Sequence, residues 1–247
     1  MKVEIFNSKE SLGKKAATDA AQKIRSALQT RQEANIILAT GASQFQTIEH
    51  LITQEGIDWS RINMFHLDEY VGMSPTHPAS FRKYLQERFV GIVPPLKSVN
   101  FIKGDATDPK AECQRIGNII VQHPIDVALV GIGENGHLAF NDPLADFNTR
   151  EPFIVVYLDE ACRRQQMGEG WFANLDEVPS QAISMSISQI MQSKSIICSV
   201  PDQRKAQAVK NCLENEVSPM HPASILQQHP DCTIYLDDAS ASLLSGK

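Results

Sequence analysis

The 247-residue sequence lacks long hydrophobic runs, an excess of basic charge and any signal-peptide pattern. No segment approaches the ~18 continuous apolar residues that a membrane-spanning helix requires, and the N-terminus has no apolar core of signal-peptide length. The 23 basic residues stand against 29 acidic ones, so the net charge of -6 offers no basic field for nucleic acid. We therefore expect a cytoplasmic protein that binds neither membranes nor nucleic acid.

Paired cysteines and repeated segments are missing as well. The five cysteines are odd in number, widely spaced and never arranged as C-x-x-C, so neither a disulfide scaffold nor a metal site is expected. No fixed-period repeat or low-complexity tract indicates a solenoid or a disordered tail. Because 42% of the residues are hydrophobic and no linker interrupts them, we expect one domain that spans residues 1–247.

Short apolar segments that favour strands alternate along the chain with segments of helical periodicity. Such alternation predicts an α/β fold in which a doubly wound, mostly parallel sheet is flanked by helices. Residues 161–179 lack clear periodicity, which is typical of a lid or a binding loop. The predicted strands are residues 3–6, 35–39, 62–66, 125–130, 153–158, 196–200 and 233–236, and the predicted helices are residues 8–29, 44–54, 78–89, 108–123, 186–192 and 202–213.

The most informative segment runs from Gly131 to Pro143 and directly follows a predicted strand. In an open parallel sheet, ligands bind at the carboxyl ends of the strands. His137 lies in this segment, and a histidine can act as acid or base near neutrality. A lone histidine is more often structural, but Asn135 and Asp142 are near enough in sequence to orient it and relay protons. The cluster favours acid–base catalysis.

The same segment also matches the dinucleotide-binding pattern G-x-G-x-x-G between Gly131 and Gly136, and Asp159 follows roughly 20 residues later. Three features oppose this interpretation. His137 follows the third glycine, Pro143 would break the helix that should open there, and the segment does not belong to the first strand–helix unit. We therefore expect no nicotinamide or flavin cofactor.

A second candidate site follows the strand at residues 35–39, where Gly41, Ala42, Ser43 and Gln44 lead into a helix. Small residues with free backbone N–H groups at a helix N-terminus form a site for an anion such as phosphate. An ordinary helix cap by Ser43 explains the pattern equally well. The segment lacks the Gly-Lys-Ser/Thr ending of nucleoside-triphosphate loops, so a monophosphate is favoured.

Charged residues follow two other predicted strands. Asp68 and Glu69 come after residues 62–66, and a carboxylate there can shuttle a proton, a role that contributes ~10²–10⁴-fold in rate. The alternative is that Asp68 caps the following turn while Glu69 is solvated. Arg204 and Lys205 open a helix, where a cation opposes the helix dipole by ~0.3–1 kcal/mol unless an anionic ligand is bound.

On these residues the chain resembles the glucosamine-6-phosphate deaminase/isomerase family, whose wider superfamily includes the 6-phosphogluconolactonases. The resemblance implies a modified doubly wound sheet, no cofactor and a hexosamine 6-phosphate as substrate. The motifs that carry it are Thr40–Ser43, Leu67–Gly72, Gly131–Pro143, the Arg204-Lys205-Ala206 helix start and His229-Pro230.

The resemblance also implies roles for individual residues. The Gly41–Gln44 loop and Lys205 would hold the 6-phosphate, and His137 would assist opening of the pyranose ring. Asp68 would move a proton between C2 and C1 as the 2-amino sugar isomerises, and loss of ammonia would leave fructose 6-phosphate. Two alternatives are hydrolysis of 6-phosphogluconolactone, with water activated by His137, and a sensor that binds sugar phosphates without turnover.

The chain departs from the usual deaminase pattern at three places. Asn135 stands where the family commonly has Asp, and Asp142 stands where it commonly has Glu. Glu169 and Gly170 replace the arginine that usually precedes a Phe-Phe pair, so Arg164, or its neighbour Arg163, is the candidate replacement cation. The sequence leaves the sugar epimer, allosteric regulation and a homo-oligomeric assembly open.

Overall fold

A seven-stranded parallel sheet forms the centre of the protein in a computed structural model, which describes residues 1–245. Its strands lie in the order β1-β10-β9-β6-β2-β3-β5. Short apolar runs supply the inner strands, and every residue of β2 and β3 is buried, as expected for a parallel sheet covered on both faces. The strands of this sheet are β1 (Lys2–Phe6), β2 (Ala34–Leu38), β3 (Ile62–His66), β5 (Ser98–Asn100), β6 (Val127–Val130), β9 (Ser195–Val200) and β10 (Cys232–Asp237).

Helices cover both faces of this sheet, and alternate residues of β2 show how. Ile36 and Leu38 pack into the apolar cluster that contains the first helix, whereas Ile37 packs into the cluster on the opposite face. The predicted doubly wound α/β fold is therefore confirmed. Within residues 1–245, no helix is both long and apolar enough to span a bilayer. The helices are α1 (Lys9–Thr30), α2 (Phe45–Leu51), α3 (Phe81–Leu85), α4 (Pro109–Ile120), α5 (Glu160–Gly168), α6 (Ile187–Met191) and α7 (Ala206–Glu214).

A second sheet of three antiparallel strands differs from the prediction. It contains β4 (Asp68–Tyr70), β8 (Gln181–Met185) and β7 (Phe153–Tyr157), in the order β4-β8-β7. The strand predicted at residues 153–158 therefore forms, but outside the parallel sheet. Three strands were not predicted: β4 and β5 contain only three residues each, and β8 contains a single β-branched residue.

The segment predicted to be irregular, residues 161–179, is helical in its first half. Asp159 caps α5 by accepting a hydrogen bond from the backbone N–H of Cys162 at 2.6 Å. The buried residues of this helix are Cys162, Gln165 and Gln166. Because two of the three are polar, the helix has no apolar stripe, which explains why periodicity did not reveal it.

The order of the strands brings the predicted chemistry to one edge of the parallel sheet. The chain leaves β2 toward β3 and β5, and later returns through β6 on the other side of β2. The edge between β2 and β6 is the topological switch point, where open α/β sheets bind ligands. The segments that follow β9, β6, β2 and β3 all meet there, because these strands are consecutive neighbours.

Candidate active site

A cavity of about 300 Å³ opens at this switch point, which is a volume suited to a small ligand. Its walls come from the segments that follow four adjacent strands and from helix α5. The structure brings together most of the residues predicted to touch a ligand. The predicted residues that line the cavity are Gly41, Ala42, Ser43, Asp68, His137, Arg204 and Lys205.

Asp68 presents a carboxyl group to the cavity although the residue is only 7% exposed. Burial, with a smaller contribution from Glu69, raises the pKa of Asp68 from 3.8 to about 8. Within residues 1–245, no backbone or side-chain group donates a hydrogen bond that holds this carboxyl group. Asp68 can therefore take or give a proton near neutral pH, as an acid–base catalyst must.

The neighbouring Glu69 has a structural function. It is buried, and not solvated as the alternative interpretation of the sequence required. Its fully buried carboxylate accepts hydrogen bonds from Ser80 Oγ at 2.8 Å and from the backbone N–H of Arg82 at 3.0 Å. Burial raises the pKa of Glu69, while these hydrogen bonds act in the opposite direction. Glu69 thus fixes the start of α3 against β4, and it leaves Asp68 to face the cavity.

His137 belongs to a chain of polar contacts behind the cavity wall. Its Nδ1 lies 3.2 Å from Asp142 Oδ1, although the two groups are not aligned for a hydrogen bond. Asn135 donates through Nδ2 to the same oxygen at 3.0 Å and accepts from the backbone N–H of His137 at 3.1 Å. Burial would raise the pKa of Asp142, but the contacts with His137 and Asn135 outweigh it and lower the pKa. An ionised Asp142 therefore faces Nδ1, and contacts of this kind often tighten when substrate binds.

Gly133 leaves room for the His137 ring. A substitution at this glycine therefore tests whether the position of the ring matters for catalysis. A methyl group at position 133 would lie 2.3 Å from Cε1 and Nε2 of the ring, and the backbone φ of Gly133 is not positive. We expect Gly133→Ala to displace the ring and to lower kcat by about 100-fold. Steady-state kinetics beside Gly168→Ala, which meets no atom within 4 Å, measures the effect. Wild-type kcat in Gly133→Ala would exclude a catalytic role for the ring.

A second part of the cavity wall, which contains Gly41 and Lys205 and is the candidate anion-binding end, has features that suit an anion. Gly41 has a φ of +88°, which an L side chain adopts only with strain, and it opens a short 3-10 turn before α2. Lys205 is 5% exposed and lines the cavity, and no hydrogen-bond acceptor contacts its ammonium group within residues 1–245. Burial lowers the pKa of Lys205. A bound anion would compensate the cost of burying this cation.

Two predicted phosphate-binding residues lie elsewhere. Gln44 is 1% exposed and donates through Nε2 to the backbone carbonyl of Val130 at 3.0 Å, so it supports the loop from beneath. The side chain of Arg164 is 61% exposed and pairs with Glu160 outside the cavity. Arg163 donates to backbone carbonyls, including that of Leu175 at 2.6 Å. Neither arginine replaces the cation expected from the family pattern.

Glu169 reaches the anion-binding end instead of an arginine. Its Oε2 would lie 3.7 Å from a Cβ atom placed on Gly41, and its Oε1 accepts a hydrogen bond from Gln165 Nε2 at 3.1 Å. The carboxylate acts on Lys205 by raising its pKa, against the larger effect of burial. Gln165, Gln166 and Glu169 all line the cavity. No motif in the sequence pointed to the two glutamines, whose only signal is their shared position in α5.

The structure also clarifies two interpretations that involve cofactors. The backbone after Gly136 runs through turns, so the helix required by the dinucleotide pattern does not follow the third glycine.

The ligand atoms of His137, Asp142 and Cys162 lie within 4.8 Å of one another, and the spacing of these residues in the sequence did not predict this cluster. Burial and the nearby Asp142 raise the pKa of the Cys162 thiol, and a protonated thiol is a poor metal ligand. These groups fit a proton relay better than a metal site.

The fold and the site together define an α/β enzyme whose cavity lies at the switch point of a doubly wound sheet. Two titratable side chains, Asp68 and His137, and the buried cation Lys205 line this cavity. The chain belongs to the family described as glucosamine-6-phosphate isomerases/6-phosphogluconolactonase, which matches residues 7–235. It is 38% identical over 247 residues to a glucosamine-6-phosphate deaminase from Oenococcus oeni, with 100% of both chains covered. It is 34% identical to a glucosamine-6-phosphate deaminase from Clostridium acetobutylicum, with 99% of this chain and 100% of the relative covered.

Solved structures agree with this assignment. A monomeric glucosamine-6-phosphate deaminase superposes with a TM-score of 0.88 at 34% identity, covering 98% of this chain and 100% of that chain. The 6-phosphogluconolactonase from Trypanosoma brucei superposes with a TM-score of 0.77 at 17% identity, covering 99% and 98% of the two chains. The second likeness shows the fold alone. The family resemblance predicted from the sequence is confirmed.

Proposed function

We propose that this enzyme isomerises and deaminates a hexosamine 6-phosphate, converting glucosamine 6-phosphate and water to fructose 6-phosphate and ammonia. The observation that carries the proposal is the shared cavity, in which the unpaired carboxyl group of Asp68 and the His137 ring face the same space as Lys205. The deaminase relatives, which match nearly the full length of the chain, support this choice of reaction.

The anion-binding end positions the substrate. The 6-phosphate lies against the Gly41–Ser43 loop and pairs with Lys205, which places C1 and C2 of the sugar toward Asp68 and His137. A remote phosphate supplies binding energy that holds the reacting atoms in place, so it contributes to kcat as well as to binding.

The proton transfers then follow from the placement of the groups. His137 moves a proton at the ring oxygen as the pyranose opens to the aldehyde. Asp68 removes the proton from C2 while the aldehyde oxygen takes up a proton from the solvent, which forms an enolamine with a hydroxyl group at C1. Asp68 then returns its proton to C1, which leaves a protonated imine at C2. Water adds to C2, and ammonia leaves as the ketone forms. A carboxyl group whose pKa lies near 8 suits both the removal and the return of the proton.

Lactone hydrolysis is the competing reaction, and a substrate panel separates the two. Hydrolysis of 6-phosphogluconolactone needs a base that activates water and gives Asp68 no carbon proton to move. We expect turnover of glucosamine 6-phosphate or galactosamine 6-phosphate and none of the lactone. Binding of all three sugars without any product would support the sensor.

Glu169 is expected to weaken phosphate binding, because its carboxylate faces the same loop and the same cation as the phosphate would. We predict that Glu169→Gln lowers the Kd for inorganic phosphate about 10-fold, which corresponds to about 1.4 kcal/mol. Isothermal titration calorimetry measures this change directly. Glu160→Gln is the matched control, since Glu160 is an exposed carboxylate on the same helix outside the cavity. Equal Kd values in the wild type and Glu169→Gln would contradict the prediction.

A further inference from the structure

Asn135 stands between two aspartates, one on each side of its amide group. Its Nδ2 donates to Asp142 Oδ1 at 3.0 Å and to Asp159 Oδ2 at 3.1 Å, so both amide hydrogens are used. The two aspartates are also joined directly, because the backbone N–H of Asp159 donates to Asp142 Oδ2 at 2.9 Å. Asp142 is therefore held on both oxygens, by Asn135 and by the backbone of Asp159.

This arrangement explains why Asn occupies position 135. The family resemblance predicted Asp there, but a third carboxylate between Asp142 and Asp159 would repel both and would donate nothing to them. The negative charge missing from position 135 is present at position 159, one hydrogen bond away. Asp159 thus supplies a negative charge to the relay beside the neutral Asn135.

Asp159 also connects the relay to helix α5. Its Oδ1 accepts from the backbone N–H of Cys162 at 2.6 Å and caps the helix, while its Oδ2 holds Asn135. The same helix carries Gln165 and Gln166 to the cavity wall. One carboxylate therefore fixes both the amide behind His137 and the element that closes one side of the cavity.

We propose that Asp159 is a positioning residue of the catalytic relay, which acts through Asn135 and Asp142 to hold the His137 ring in its working orientation. The proposal rests on the proposed function for its kinetic readout. Asp159 lies outside the cavity wall, and its effect reaches the substrate only through the other three residues.

A charge exchange between positions 135 and 159 tests the proposal. Asp159→Asn keeps a good helix cap but removes the ionic acceptor, and hydrogen bonds to charged groups are stronger than those to neutral groups. We expect kcat to fall about 10-fold or more with little change in KM. Asn135→Asp should be at least as impaired. The double variant combines both substitutions, so that an amide at position 159 can donate to a carboxylate at position 135. It removes the repulsion between positions 135 and 159 but keeps the repulsion between position 135 and Asp142, so its kcat should lie above that of Asn135→Asp and below that of the wild type.

Two further measurements separate positioning from folding and from the reaction itself. Thermal unfolding of each variant shows whether the substitution weakens the helix cap. If Asp159 only caps the helix, Asp159→Asn lowers the unfolding temperature, and adding Asn135→Asp does not raise kcat. The ¹⁵N chemical shifts of the His137 ring report which ring nitrogen carries the proton. We expect one tautomer, protonated at Nδ1, in the wild type, a mixture in each single variant, and a larger share of the Nδ1 tautomer in the double variant than in Asn135→Asp.

The outcomes are distinct. Wild-type kcat and ring shifts in Asp159→Asn, or a double variant as impaired as Asn135→Asp, would overturn the role of Asp159. If the wild-type protein turns over none of the amino-sugar phosphates, the proposed function fails. The ring shifts would still decide whether Asp159 positions His137, because they need no substrate.

Discussion

Replacing Asp68 by Asn is expected to lower kcat for amino-sugar 6-phosphate turnover by about 10³-fold, with the fold intact. Asparagine has the same shape but cannot take a proton from C2, and positioned acid–base groups contribute ~10²–10⁴-fold. Because Asp68 accepts no hydrogen bond that would orient it within residues 1–245, the substitution breaks no structural contact. Product formation measured under saturating substrate quantifies the loss.

The raised pKa of Asp68 adds a dependence on pH. Between pH 3.8 and about 8, the folded protein holds a proton that the unfolded chain has released, so stability falls as pH rises through this interval. We expect Asp68→Asn to remove this dependence and to unfold at a higher temperature than the wild type at pH 8. In the wild type, kcat/KM should rise as pH increases toward about 8, since the base form accumulates there.

Asp176→Asn is the matched control for these measurements, since Asp176 is exposed on the turn Leu175–Glu177 away from the cavity. It should retain wild-type kinetics and the same dependence of stability on pH. Substantial turnover in Asp68→Asn would refute the assignment of Asp68 as the carbon base. It would mean that another group removes the proton from C2.

Replacing Lys205 by Met should raise KM by about 100-fold with a smaller effect on kcat. Lys205 is a buried cation at the anion-binding end, and truncation of one partner of a buried charge pair costs ~2–5 kcal/mol of binding. An apolar side chain of similar length fills the same space, so the protein should fold. The measurement is KM for the sugar phosphate, together with the Kd for inorganic phosphate.

Lys210→Met provides the comparison, because Lys210 lies on α7, the helix that Lys205 caps, is partly exposed outside the cavity and pairs with Glu214. It should leave both constants unchanged. An unaltered KM in Lys205→Met would mean that the phosphate lies elsewhere, and the cavity would then have to bind the sugar in another orientation.

The sequence predicted the parallel sheet because its strands are buried on both faces and therefore read as short apolar runs. Ile36, Ile37 and Leu38 form such a run, and neighbouring strands behave alike. The antiparallel sheet was not predicted, because β4 is short and pairs with β8, more than a hundred residues later in the chain. Helix α5 was not predicted, because its buried face is largely polar.

The candidate site followed the same rule. Asp68, His137 and Lys205 each lie in a segment that follows a strand, and parallel strands place such segments at a common edge. The family resemblance then selected Lys205 rather than Arg204 as the phosphate ligand. The contacts of Asp159 and Glu169 depend on where α5 packs, and that packing joins residues that are far apart in sequence. Arg164 was predicted as a phosphate ligand from its positive charge alone. The sequence pattern does not show that its side chain points away from the cavity and pairs with Glu160.

The most direct test is the reaction of the purified protein with glucosamine 6-phosphate, in which fructose 6-phosphate and ammonia are quantified together over time. We expect the two products to appear at the same rate and in equal amounts, and to be nearly absent in Asp68→Asn. If neither fructose 6-phosphate nor ammonia forms while the sugar phosphate still binds, the result contradicts the proposed deaminase reaction.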